Sequence, residues 1–200
     1  VDALKKLPEN YHTHKTLSLS TPRTVLWMNI AAIFLLVVYG WFFSNLINLF
    51  RPLTPIRGGL MRLFSSFSIL ELFFCILSII FMLMLHELIH GMYFWLFTRE
   101  LPKFALKPGY AFAAAPDWYL PKLQYITVGL SPFVLISASC IILALFTTHY
   151  LIPYLLIIAT FNAAGSLGDL MVVGWVLNQP STVLIKDEGD VFSSYRSETE

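Results

Sequence analysis

The chain is short of charge. Only 12% of its 200 residues are Asp, Glu, Lys or Arg, whereas a soluble domain carries about 25%. Hydrophobic residues make up 57%, which argues against both a soluble globular enzyme and a disordered chain. A net charge of +1 leaves no basic surplus to neutralise phosphates, which argues against nucleic acid as a partner. Cysteine is scarce as well. Cys75 and Cys140 lie inside apolar runs without C-x-x-C spacing, so they read as small buried hydrophobes and not as a redox or thiolate-metal site.

What is present is long apolar sequence. Four stretches, at about 24–50, 67–97, 124–148 and 151–177, meet the roughly 20 apolar residues that a bilayer crossing needs. The fold expected is therefore mainly α, a polytopic membrane protein of one domain with about four transmembrane helices. The polar first 23 residues end at Arg23, and the apolar run behind them is too long for the h-region of a cleaved signal, so it reads as a retained span. The last two spans are joined by only a few residues around His149 and Tyr150, which makes them a tight helical hairpin. Trp27, Trp95, Tyr119, Tyr150 and Trp175 lie near span ends, where interfacial aromatics gather.

Lys and Arg set the expected orientation. The arm 1–23, the loop 99–123 and the tail 178–200 share one side if the spans are even in number, and they hold ten of these residues; Arg51, Arg57 and Arg62 lie opposite. The positive-inside rule then puts both termini and the 99–123 loop in the cytoplasm. Within that loop, 103–107 and 110–114 look extended around the turn signal Pro108-Gly109, which suggests a short β-hairpin-like element. The tail from Pro180 onward, with Asp187, Glu188 and Asp190, reads as solvated and partly disordered.

Five ionisable side chains fall within the spans: Glu71, His86, Glu87, His90 and Asp169. A central charge such as Asp costs about 2.5–3.5 kcal/mol on insertion scales, so each needs a partner or a wet cavity. Three of them form His86-Glu87-Leu88-Ile89-His90, an H-E-x-x-H motif. Residues i and i+4 of a helix share a face, so both imidazoles can reach one metal, and the intervening Glu can stand beside a metal-activated water as general base. Zinc suits imidazole and carboxylate ligands, and a catalytic site takes a third protein ligand. Asp169 is the candidate, because it and His90 lie at similar depths, about 10–12 Å from the same interface. The competing reading is a helix-facing histidine pair hydrogen-bonded to its neighbours, with Glu87 as counter-ion and Asp169 bonded within the bundle. Asn162 lies seven residues before Asp169 on the same face, and Ala164, Gly165 and Gly168 allow close helix approach. Glu71 is over 20 Å from His86 along the helix and reads as snorkelling or pairing with a loop residue. His12, His14 and His149 read as surface residues. Ser131-Pro132 is placed to kink the third span.

His86-Glu87-Leu88-Ile89-His90-Gly91, Ser131-Pro132 and Gly165-Ser166-Leu167-Gly168-Asp169 together resemble the site-2 protease family of intramembrane zinc metallopeptidases. The chain looks closest to a bacterial branch of zincin-type membrane peptidases, with the resemblance running from Leu7-Pro8-Glu9 to Asp169. It implies an intramembrane zinc metalloendopeptidase with zinc on His86, His90 and Asp169, Glu87 activating water, and Asn162 holding substrate or oxyanion. It also implies a bacterial plasma membrane, a membrane-protein substrate that pairs with the 99–123 loop, and leaves a homo-oligomer open. Better-known members read N-x-x-P-x-P-x-L-D-G, whereas here the Asn-to-Asp gap is seven, no proline intervenes and Leu170 follows. Two alternatives remain: a structural or sensory metal site without turnover, and a non-enzymatic bundle whose polar residues only join helices.

Overall fold

A computed structural model describes residues 2–51, 68–107 and 110–198. The readings placed on Arg57, Arg62, Phe67 and the Pro108-Gly109 turn lie outside the described residues. The described elements, numbered in chain order, are β1 (Tyr11–Ser18), α1 (Pro22–Phe50), α2 (Ile69–Thr98), β2 (Lys103–Lys107), β3 (Tyr110–Ala114), β4 (Tyr119–Pro121), α3 (Lys122–Phe146), α4 (Ile152–Gly165), α5 (Leu167–Leu177), β5 (Leu184–Asp187) and β6 (Val191–Ser197).

The first two helices start where local chemistry says they should. Thr21 caps α1 by accepting from the Thr24 N–H, and Pro22 fills the first helical turn, where a missing N–H costs nothing. Ser68 and Glu71 form a reciprocal capping box at the start of α2, which answers the question of Glu71's partner. Arg99 ends α2 in the left-handed conformation at φ 57°. Helices α1, α2 and α3 are each long and apolar enough to cross a membrane, and large apolar side chains such as Phe34, Trp41, Leu83 and Met84 face outward from α1 and α2. A helix satisfies its own backbone, which is what lets such faces meet lipid.

The fourth apolar run differs from the expected continuous span. It is two helices, α4 and α5, bent by 44°. The Ser166 hydroxyl donates to the Asn162 carbonyl at 2.8 Å, and Gly165 and Gly168 flank the bend. The structure thus has three helices long and apolar enough to span, or four if the bent pair counts as one. Helix α4 packs against α1, α2 and α3. At the far end of the bundle, Arg51 donates to the carbonyls of Ala144 and Thr147 and ties α1 to the short α3–α4 connection.

The described part of the C-terminal segment, 178–198, is also not the solvated tail that its charges suggested. Strands β5 and β6 form an antiparallel sheet of order β1-β6-β5-β4, joining both ends of the chain to the residues just before α3. Its inner face is apolar: Leu120, Val183, Ile185 and Phe192 pack with Phe94, Tyr125, Val128 and Val176 from the helix ends. Each such side chain contributes about 1.5–3 kcal/mol when fully buried. The acidic residues that gave the segment its polar look cluster at the β5–β6 turn. The expected hairpin at 103–114 is present as the antiparallel pair β2–β3, with Phe104 opposite Ala113 and Ala105 opposite Phe112.

Candidate metal centre

His86 and His90 are one helical turn apart on α2, both buried, with ring centroids 4.9 Å apart. Asp169 reaches them from the first turn of α5, where the helix dipole favours a carboxylate. Its Oδ2 lies 3.1 Å from His86 Nε2 and 3.4 Å from His90 Nε2. One ligand atom from each of the three falls within 4.8 Å of the others.

Each ring is held from behind through its other nitrogen. His86 Nδ1 lies 3.0 Å from Asn162 Oδ1, so a proton on Nδ1 is donated to that oxygen. His90 Nδ1 lies 3.0 Å from the Val128 carbonyl. That carbonyl is free because Pro132, four residues on within α3, has no N–H to donate to it. The Ser131 hydroxyl also donates to it, at 2.8 Å. A proton on Nδ1 of each ring would leave a lone pair on Nε2 for the common point. Pro132 lies within α3, and its consequence is this carbonyl.

Asn162 is fully buried, and its carboxamide is engaged at both ends. Besides His86, it donates from Nδ2 to the Pro132 carbonyl at 3.2 Å and to Ser137 Oγ at 3.3 Å. It stands behind His86 and is not among the residues that line the cavity beside His90 and Asp169.

Glu87 turns the other way, into that cavity, which it lines with His90, Asp169, Phe94, Tyr125 and Asp187. One carboxylate contact is the Ala113 backbone N–H of β3. The other oxygen, Oε2, is buried and has no hydrogen-bond partner. A buried acceptor left open costs free energy and calls for a donor such as water. Two imidazole nitrogens, one carboxylate oxygen and an adjacent open carboxylate fit a zinc ion with a water beside it.

The cavity opens away from His86, toward the sheet end of the bundle. Its wall includes two residues that the sequence did not offer as candidates. Tyr125 donates its hydroxyl to Asp187 Oδ2 at 2.8 Å, and Asp187 Oδ1 accepts the Gly189 N–H at 2.7 Å. Burial pushes the Asp187 carboxyl up to about 6. Asp187 was hidden in the run of acids read as a solvated tail. His12 and His14 lie on β1, and His149 lies beside Arg51 at the opposite end.

A family model described as "Putative zincin peptidase" matches residues 79–184. No curated protein and no solved structure matches the chain.

Proposed function

The chain belongs to the family described as "Putative zincin peptidase", which implies zinc as its cofactor, and from that premise we propose an intramembrane zinc metalloendopeptidase of the site-2 protease type. The observation that carries the reading is the convergence of His86 Nε2, His90 Nε2 and Asp169 Oδ2 beside the open Glu87 Oε2.

His86, His90 and Asp169 would hold the ion. When bound, zinc polarises a peptide carbonyl and makes a neighbouring water more acidic. The rest falls to the chain's own residues. Asn162 and the Val128 carbonyl fix the two rings with Nε2 forward. Glu87 Oε2 accepts a proton from water as the water oxygen adds to the scissile carbonyl carbon. Glu87 then gives that proton to the departing amine nitrogen as the C–N bond breaks. The buried wall of Phe94, Val128 and Val172 keeps bulk water out. The Ala113 N–H keeps one oxygen of Glu87 occupied, so the other is the one that works.

The substrate is a membrane protein whose helix enters laterally and must unwind near the bond to be cut, because a helical carbonyl is already hydrogen-bonded. The β2–β3 hairpin adjoins Glu87 and offers strand edges on which an unwound segment can pair. We place the sheet and the 99–123 loop on the cytoplasmic side of a bacterial plasma membrane. The support is the Lys and Arg distribution and the pairing of β1 with β6, which puts both ends of the chain together. The lipid bilayer is thus a partner.

The test is zinc content with cleavage of a transmembrane reporter. Wild-type protein is expected to hold zinc and cleave. His86→Ala and Asp169→Ala are expected to lose zinc and activity together. Full activity with zinc retained in Asp169→Ala would remove that residue from the site. Zinc held by wild type without cleavage of any substrate would favour a structural or sensory metal.

A further inference from the structure

The far wall of the cavity is not used by the chemistry above. From Glu87 and His90 the cavity runs past the rings of Phe94, Phe112 and Phe192 to Asp187, at the end of β5. Asp187 is 5% exposed. Its two hydrogen-bond donors are a phenol, Tyr125, and a backbone amide, Gly189. An ionised carboxylate has about four acceptor sites, so both oxygens retain capacity. No Lys or Arg is bonded to it among the described residues; the adjacent Lys186 turns to Glu188, 2.9 Å away.

A buried carboxylate without a counter-charge is costly, and proteins normally pair one with a cation. Here the Phe94, Phe112 and Phe192 rings line the same cavity, which carries Glu87, His90 and Asp169 at its other end. A cavity walled in part by aromatic rings that ends on a carboxylate with no Lys or Arg bonded to it among the described residues is complementary to a short hydrocarbon chain tipped with a cationic nitrogen. The site is built by the β5–β6 turn. Gly189 adopts φ +97°, and the Phe112 ring packs so closely on it that a Cβ there would lie 2.4 Å from the ring. Asp187 is thereby locked between α3 and the β2–β3 hairpin. It also lies beyond residues 79–184, the stretch that the family model matches.

We propose that Asp187 is a specificity-determining residue that receives a cationic nitrogen of the peptide substrate, from a lysine or arginine side chain or from a free α-ammonium, close to the bond on which Glu87 acts. This rests on the peptidase reading for its substrate class. The preference belongs to this chain's C-terminal hairpin and is separable from the metal centre.

Binding and turnover test it separately. Apolar peptides of one sequence, carrying lysine or norleucine at single positions and with free or acetylated N-termini, are titrated against the full-length Glu87→Gln protein in detergent micelles. The cationic peptide is expected to bind about tenfold tighter than its neutral partner. Adding Asp187→Asn is expected to bring that ratio to near one, with the affinity of the neutral peptide unchanged. Loss of the preference on acetylation alone would assign the nitrogen to the α-ammonium; loss on norleucine alone would assign it to the side chain. Equal binding of both peptides to the Asp187-containing protein would overturn the proposal, and so would an equal loss for both in Asp187→Asn. If binding discriminates but protein with native Glu87 cleaves nothing, the peptidase reading fails and the cation site stands. If it cleaves without preference, the reverse holds.

Discussion

Which imidazole nitrogen faces Asp169 is decided by two acceptors behind the rings, the Asn162 amide oxygen and the Val128 carbonyl. Partners that orient a metal ligand in this way typically change metal affinity by about 10–100-fold when removed. Asn162→Leu is therefore expected to weaken zinc binding by that order, measured by competition with a chelating dye; undiminished affinity would contradict the orienting role. The H-E-x-x-H motif was legible because its geometry is local, and Asp169 because depth could be counted from span ends. Neither the work done by Pro132 nor that of Asn162 could be read, since both depend on contacts between helices. Asp187 was masked by its acidic neighbours. Its carboxyl sits at about 6 in the fold and near ~3.9 when unfolded. Between those values the native state binds the proton and the unfolded state releases it, so stability falls as pH rises. Wild-type protein should lose thermal stability relative to Asp187→Asn from about pH 4 to 6, with a constant gap above. A gap that does not change with pH in melts across this window would show that Asp187 is not desolvated.

Helix α5 carries Asp169, so its seating on α3 determines whether the trio can close. Gly129 of α3 makes that seating: a Cβ there would lie 2.6 Å from Val173 Cγ2. Gly129→Val must push the two helices apart and is expected to lower zinc occupancy. Gly174→Ala, whose Cβ would meet nothing within 4 Å, is expected to leave zinc occupancy unchanged. Equal zinc content in both variants would detach α5 packing from the metal centre. The apolar runs themselves were readable from hydropathy, and α1, α2 and α3 lie close to where they were expected. The break between α4 and α5 was not readable, because the run stays apolar through Ser166 and its glycines serve packing and bending alike. Asn162 and Asp169 were brought together on the premise of one straight helix. They converge on His86 across a bend instead.

The sheet of order β1-β6-β5-β4 binds the two ends of the chain and the entry to α3 into one layer over the cavity. It was invisible in the sequence because β4 and β5 are short, β6 is serine-rich, and its partner β1 lies some 180 residues earlier. Truncation after Gln179 removes β5 and β6 and uncovers Phe94, Leu120 and Tyr125. The shortened protein is expected to be cut rapidly in limited proteolysis at the sheet end and to lose activity; resistance equal to the full chain would show that the sheet is dispensable. The most direct test of the whole account is a paired measurement on wild type and Glu87→Gln: zinc per chain, and cleavage of a transmembrane reporter. The expected result is equal zinc in the two proteins and a loss of cleavage of about 100-fold or more in Glu87→Gln, the scale of a missing general base. Cleavage that survives in Glu87→Gln at the wild-type rate would contradict it.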